Sequence, residues 1–376
     1  EKVFIDQMQL AFSDGMVTNG NQIVFQHKNN RIELKPAEFR LNDGRAEIAF
    51  IIENEQVIDA SLSIVNLNLT GLASALDLQL PIIGDLFADL AITTRDDKIE
   101  SAGIIEIKDG RLGNVSFENF TFASDLKENL LRVKELKIED EQQGGLMVFG
   151  STKVRSTEIG LLPFEIDPNG AAKFSGEFKN FQLNYLDEYL PQDVSIEGSL
   201  TGSLAINGTG NEPEMVFAFE VISPRYDKIN AQTIAGSGRY TDHRLYFEDL
   251  VGSTKGGDYS GEGYIPIDLS LSRSDGHRWL ENDPIAMELS AVTSNFEVLT
   301  PYLVDVDSVT GDIELELEIV GTPEQPVRNG KVVVKNGTIY ALMLDLPIRG
   351  VEGSAILKEN KFILENLVGK SHITSD

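Results

Sequence analysis

"GDIELELEIVGTPEQPVRNGKVVVKNGTIY", residues 311–340, is the stretch of sequence that decides the fold. Residues 312–319 alternate strictly between acidic and aliphatic side chains. Successive side chains of a β-strand point to opposite faces of the sheet, so this period of two places four aliphatic side chains on one face and four carboxylates on the other. The stretch therefore predicts amphipathic β-strands whose apolar face must be covered by something.

The same pattern recurs along the chain at a fixed spacing. The segments that begin at Gly84, Gly198 and Gly311 read "GDLFADLAI", "GSLTGSLAI" and "GDIELELEI", at spacings of 114 and 113 residues. Further on, "LKENLLRVKEL" (126–136), "YTDHRLYFEDL" (240–250) and "LKENKFILENL" (357–367) align as well. A partial copy, "KNNRIEL", lies at residues 28–34. Self-similarity at a fixed period is the signature of a repeat architecture, so we predict a tandem array with a period of about 114 residues.

The predicted units follow from this period. Residues 1–66 are the C-terminal part of a preceding repeat, 67–180 are repeat 1, 181–295 are repeat 2, and 296–376 are an incomplete repeat 3. No linker rich in proline or serine separates them, which favours one continuous domain over separate globular units. The chain begins at Glu1 and ends in a polar run, so we expect it to be a segment of a longer polypeptide.

Each period reads as about seven strands with polar turns. The pairs Asp109-Gly110 and Asn336-Gly337 predict hairpin turns, because both residues of such a turn take a positive φ. Ser223-Pro224 stands at the equivalent place in repeat 2 and predicts a different turn. Polar turns are also expected at residues 127–129 and 358–360, and helix only in short pieces such as 183–190. The predicted class is all-β, almost entirely antiparallel.

An array of amphipathic strands can bury its apolar face in two ways. A closed solution packs a second sheet against it, as in a sandwich or a filled solenoid. An open solution curls one sheet into a groove whose apolar lining takes a guest. Because strands recur at the same phase, we favour an elongated antiparallel sheet curled into an open hydrophobic groove. Its predicted lining residues recur in every period: Leu86, Leu90, Ile92, Ile105, Ile107, Leu131, Val133, Leu200, Leu204, Ile206, Phe219, Val221, Leu245, Phe247, Ile313, Leu315, Leu317, Ile319, Val332, Val334, Phe362 and Leu364.

The energy of hydrocarbon in water indicates which guest such a lining suits. Each methylene costs about 0.8 kcal/mol in water, so two sixteen-carbon acyl chains cost on the order of 25 kcal/mol. A few hydrogen bonds cannot offset that cost, whereas a long and uniform apolar lining can. The expected ligands are phospholipids or other lipids with acyl chains.

Several motifs resemble a known family. The run from Gly311 through Gly321-Thr322 and Pro326 to Asn336-Gly337, repeated from Gly198, resembles the TamB/AsmA-like family of bacterial envelope proteins. This family belongs to the repeating β-groove, bridge-like lipid-transfer superfamily. The resemblance covers nearly the whole chain through its repeats.

The resemblance implies a long, taco-shaped β-sheet with a hydrophobic interior that spans the periplasm of a Gram-negative bacterium. In the full-length protein it implies an inner-membrane anchor, outer-membrane contact at the C-terminal end, and movement of phospholipids between the two membranes. It also implies a BamA-like outer-membrane barrel protein as partner, through regions absent from this chain.

Composition and isolated motifs argue against other functions. The formal net charge is −28, with 32 basic and 60 acidic residues, which argues against nucleic-acid binding. There is no cysteine, so thiol chemistry and disulfide frameworks are excluded. The four histidines lie apart from one another, and residues 305–312 lack the ligand spacing of a calcium loop. We expect no enzymatic activity, no catalytic or metal-binding residues and no cofactor.

Two other functions remain open at this level. The chain could be a chaperone or scaffold for assembly and secretion of outer-membrane β-barrel proteins, whose exposed edges pair with client strands. It could also be a structural stalk of repeats with a closed, dry core. The short segments before each repeated glycine, such as residues 183–191, could be connectors that pack against the outside or rim of the sheet, or a partial lid over the groove with Leu186, Tyr189 and Leu190 facing inward.

Overall fold

The computed structural model describes residues 1–12, 15–76, 82–95, 98–113, 115–156, 164–189, 195–226, 229–272, 278–295 and 306–370. In these ranges the chain is almost entirely antiparallel β-sheet, with one short α-helix and one 3₁₀ helix, and the sheet is open and curled. This confirms the predicted fold class. The chain divides into two compact units, Glu1–Lys179 and Asn180–Asp376.

Unit 1 is built from strands β1–β13, helix α1 and most of β14, whose last three residues belong to unit 2. The bounds are β1 Lys2–Ile5, β2 Gln9–Phe12, β3 Gly15–Asn19, β4 Ile23–Lys28, β5 Arg31–Leu41, β6 Gly44–Glu53, β7 Gln56–Asn68, α1 Leu69–Leu76, β8 Ile82–Arg95, β9 Lys98–Leu112, β10 Val115–Lys127, β11 Leu130–Glu139, β12 Gly145–Ser156, β13 Phe164–Ile166 and β14 Ala172–Gln182. From β5 to β12 each strand pairs with the next, and β12 also pairs with β13 and β14. In the described part of this unit no late strand pairs back with β1–β5, so the sheet does not close into a barrel.

Unit 2 follows the same plan. After a 3₁₀ helix at Leu183–Tyr189 come β15 Ile196–Gly208, β16 Pro213–Tyr226, β17 Ile229–Asn230, β18 Thr233–Thr241, β19 Arg244–Ser253, β20 Gly257–Pro266, β21 Ala286–Asn295, β22 Val306–Gly321, β23 Pro326–Ala341, β24 Ile348–Lys358, β25 Lys361–Leu364 and β26 Val368–Lys370. Consecutive long strands pair in antiparallel register from β15 to β24, and β24 pairs with both β25 and β26.

The tight turns recur where the sequence predicts them. Glu128 and Asn129 join β10 to β11 with φ of 51° and 61°, and Glu359 and Asn360 join β24 to β25 with φ of 49° and 65°. Two consecutive positive φ values are typical of the two-residue type I′ hairpin turn, whose twist matches that of the flanking strands. The turns predicted at 127–129 and 358–360 are confirmed.

The hairpin turns predicted at Asp109-Gly110 and Asn336-Gly337 are wrong. Both pairs lie inside long strands, β9 and β23, although the first residue of each does have a positive φ, 47° and 52°. Ser223 of repeat 2 has a φ of 52°, so its conformation matches the others despite its different residue type. One left-handed residue within a strand makes a local irregularity rather than a chain reversal.

A glycine lies opposite each of these irregularities. Gly311 has a φ of 131°, and a Cβ added to it would lie 2.6 Å from the Cα of Gly337. Gly84 and Gly198 have φ of 133° and 129°, so the geometry repeats in every period. The aligned glycines are therefore explained by the close approach of two neighbouring strands.

Among the register shifts of the sheet, two sets recur at equivalent places along the chain. Register shifts lie at the repeated glycines and again in the later strand of the period. The shifts are between Ile83/Asp85, Glu197/Ser199 and Thr310/Asp312, and between Leu34/Ala37, Val133/Leu136 and Phe247/Leu250. Bulges bend a strand and increase its twist, and repeated bulges are the usual source of sheet curvature. The curl of the sheet in each unit follows from them.

The cores lie on one face of each sheet. Four clusters of buried apolar side chains form, and in the described residues each draws its members from neighbouring strands of one sheet or, in two cases, also from α1. The cluster around Ile313 and Val351, for example, takes its residues from β20 to β24. Among the residues described, no second sheet contributes to these clusters.

Candidate functional site: the apolar face of each unit

Strand pairing in unit 1 places all seven predicted lining residues of this unit on one face. Directly paired residues of antiparallel strands point to the same side of the sheet. Leu86 pairs with Ile107, and the register continues across β9, β10 and β11 to Leu131 and Val133. The seven residues are Leu86, Leu90, Ile92, Ile105, Ile107, Leu131 and Val133. We call the side that they share the apolar face of unit 1.

Unit 2 has an equivalent apolar face. Leu204 pairs with Phe217, and Leu317 pairs with Leu289. The register carries this alternation from β15 to β25. The predicted residues that share the face are Leu200, Leu204, Ile206, Phe219, Val221, Leu245, Phe247, Ile313, Leu315, Leu317, Ile319, Val332, Val334, Phe362 and Leu364.

The predicted lining residues differ in their solvent exposure. Six are buried: Ile107, Val133, Val221, Ile313, Leu315 and Val334. Ile92 and Leu364 are exposed, at 38% and 66%. The side chain of Phe362 lies outside the described residues, and the remaining thirteen are half-buried. The apolar faces thus contain a buried floor together with a large share of side chains that a further apolar partner could cover.

Some predicted residues are in direct contact and others are not. Ile313, Leu315 and Val334 form one cluster against which Leu317 and Val332 pack. In unit 1, Leu86, Ile105 and Ile107 meet in another. The other predicted residues of the two faces lie outside these buried clusters. Each face therefore has patches of tightly packed side chains and, between them, side chains that are less buried.

Phe217 is a lining residue that the sequence prediction missed. Its ring lies 6.2 Å from Phe219 and 6.0 Å from Phe247, centroid to centroid, so it joins β16 to β19 on the apolar face. The signal was present, because residues 215–221 read "MVFAFEV" and alternate in the same phase as Phe219 and Val221.

Helix α1 covers part of the apolar face of unit 1. Leu69 is buried against Ile107 and Phe117, and Leu72 packs in the same cluster. In repeat 1 the segment before Gly84 therefore packs on the apolar face rather than at its rim or on the opposite face. The equivalent question in repeat 2 stays open, because the side chains of Leu186 and Tyr189 and the whole of Leu190 lie outside the described residues.

The opposite face of unit 2 is acidic. Glu262, Glu288 and Glu318 are exposed and stand directly opposite one another on β20, β21 and β22. Like charges at such positions repel. A cavity of about 650 Å³ across β19–β23 is lined largely by residues of this polar face, with Glu316 and Lys331 among them. In the part of the chain that the structure describes, no group of three or more acidic or histidine side chains is placed to hold a metal ion.

Tyr240 ties a loop to the edge of the apolar face. Its hydroxyl accepts a hydrogen bond from the Leu269 N–H at 2.8 Å and lies 3.4 Å from His243 Nδ1. Burial raises the pKa of the Tyr240 hydroxyl above its usual value, and the hydrogen bond from Leu269 opposes that shift. The neutral phenol is thus the stable form, which suits a structural tether.

Comparisons with protein-family models, with curated proteins and with solved structures give no match. Among the described residues, neither helix has the length and apolar character needed to cross a bilayer.

Proposed function

We propose that this chain is a segment of a non-enzymatic lipid-transfer conduit. Its apolar faces shield the acyl chains of phospholipids while the head groups stay at the hydrated rim. The observation that carries the proposal is the placement of the recurring aliphatic side chains: in each unit they share one face of a sheet, and most of them remain half-buried.

Energetics support acyl chains as the guest. A half-buried Leu or Ile leaves part of its apolar surface in water, and this exposure costs about 25 cal/mol of free energy per Å². An acyl chain lying on this surface removes both its own hydrocarbon and the protein's from water. Because equivalent side chains recur at each period, an acyl chain can slide along the apolar face without a large change in free energy. The net direction of lipid transfer must therefore be set by something other than this lining.

The setting that we propose is the periplasm of a Gram-negative bacterium, with transfer between inner and outer membranes. The repeated glycine motifs of Gly84, Gly198 and Gly311 support membership of the TamB/AsmA-like family, and the equal φ values of these glycines support reading them as one repeated motif. The inner-membrane anchor and the BamA-like partner belong to this proposal through regions outside the chain.

A photo-crosslinking experiment tests the proposal. A photoreactive phenylalanine analogue at Leu317 is expected to capture phospholipid in cells, because Leu317 is half-buried on the apolar face of unit 2. The same analogue at Glu316 is the matched control, since this neighbouring residue is exposed on the opposite face. Capture at both positions alike, or at neither, would count against the conduit, and capture of unfolded barrel proteins would favour the chaperone.

A further inference from the structure

The loop between β23 and β24 presents an unusual set of apolar side chains to water. Leu342, Met343, Leu344 and Leu346 are 71%, 79%, 50% and 42% exposed. Among the large apolar residues of the described part, Met343 has the highest exposure. At the equivalent place the two earlier repeats have "GN" (113–114) and "DKINAQ" (227–232), so the apolar loop is specific to repeat 3.

The loop continues the apolar face of unit 2 to the surface. On its two sides, Ile339 and Ile348 pair with each other and pack against the buried cluster around Val309 and Ile313. Within the loop, the Leu344 N–H donates a hydrogen bond to the Ala341 carbonyl at 3.0 Å, which holds the loop as a turn. Ile339 and Ile348 therefore lie along the two strands between the buried cluster and the exposed loop, which places apolar side chains on the path from one toward the other.

We propose that residues 342–346 are the place where the apolar face of unit 2 meets a phospholipid bilayer surface and exchanges acyl chains with it. This inference rests on the proposed conduit function and adds to it a point of entry or exit. Insertion of the loop would let a chain leave the bilayer along the path through Ile339 and Ile348 without crossing water.

The chemistry of the loop favours a bilayer over a protein partner. Residues 341–347 read "ALMLDLP", so the exposed run is aliphatic apart from one carboxylate, and the flanking Tyr340 (43% exposed) is a residue type that bilayer interfaces favour. Flexible aliphatic side chains gain from any hydrocarbon surface, as in the apolar sides of interfacial segments. Because the chain has a net charge of −28, an anionic bilayer would repel it, so we expect the bilayer surface to be zwitterionic.

A fluorescence experiment tests the contact directly. The chain has no cysteine, so a single label can be placed by Met343→Cys, or by Glu324→Cys as control. Glu324 is exposed in the turn at the other end of β22 and β23. With phosphatidylcholine vesicles, a nitrobenzoxadiazole label at residue 343 is expected to brighten and shift to the blue, and the label at residue 324 to stay unchanged. An unchanged signal at residue 343 overturns the inference.

A pair of variants separates this inference from the conduit proposal. The double substitution Leu342→Ser/Leu344→Ser is expected to weaken vesicle binding about tenfold or more. Val292→Ser removes an equally exposed apolar side chain (71%) from the polar face and is expected to leave binding unchanged. The bilayer contact is wrong if the double variant binds vesicles like the parent. It is also wrong if the double substitution only separates two copies of this chain and leaves vesicle binding unchanged. Both results would stand even where Leu317 still captures lipid. If Leu317 captures none, the conduit itself fails.

Discussion

Leu204→Asp is expected to lower the phospholipid that co-purifies with the chain by tenfold or more. Leu204 is half-buried on the apolar face of unit 2, where it pairs with Phe217 next to Phe219 and Phe247. A carboxylate at this position keeps its water, because burying an unpaired charge costs far more than an acyl chain gains. Acyl chains would therefore lose a continuous lining at this point. Extraction of lipid from the purified variant and its quantitation measure the effect.

Ser203→Asp is the matched control for this substitution. Ser203 is the preceding residue of β15 and is exposed on the polar face. It adds the same charge to the same strand, so any general effect of charge on expression or folding should be shared. Circular dichroism is expected to show both variants folded. Equal loss of lipid in the two variants, or loss in neither, would contradict the assignment of the apolar face as the lipid-binding surface.

Gly311→Ala is expected to destabilise unit 2 by about 3 kcal/mol or more. The φ of 131° is one that L-residues rarely adopt, and the added Cβ would lie 2.6 Å from the Gly337 Cα, a backbone atom that cannot turn aside. The strands β22 and β23 would have to separate at this point. Chemical denaturation, with the free energy of unfolding compared between variant and parent, measures the cost.

Gly350→Ala provides the control in the same unit. Gly350 has a φ of 57°, but a Cβ there would have no heavy atom within 4 Å. Only the cost of a left-handed conformation remains, about 1 kcal/mol. If the two substitutions lower the free energy of unfolding by similar amounts, the close approach of Gly311 and Gly337 is not what makes Gly311→Ala costly.

The sequence was sufficient for the all-β class and for the sharing of one face by the lining residues. Both depend on the alternation of apolar and polar residues with a period of two, as in "DIELELEI" (312–319). The same period of two governs which face of the sheet each side chain of a strand occupies. The sequence prediction misassigned Asn336-Gly337, because a positive φ at an asparagine is required equally by a hairpin turn and by an irregularity inside a strand. The difference is set by Gly311 on the neighbouring strand, which is not local information.

Three features of the structure could not be predicted from the sequence. The packing of Leu69 and Leu72 of α1 on the apolar face depends on how the chain enters β8, which no periodicity encodes. The cavity over Glu288 and Glu316 depends on the curvature of the sheet, which comes from bulges in several strands together. The exposed residues 342–346 were visible in the sequence as an apolar run, but their exposure was not.

The most direct test of the central claim is native mass spectrometry of the purified chain. We expect complexes whose added mass equals that of two-chain phospholipids, and we expect these complexes to be lost with Leu204→Asp and kept with Ser203→Asp. A folded chain that carries no lipid at all, or one that keeps its lipid equally in both variants, would contradict the account.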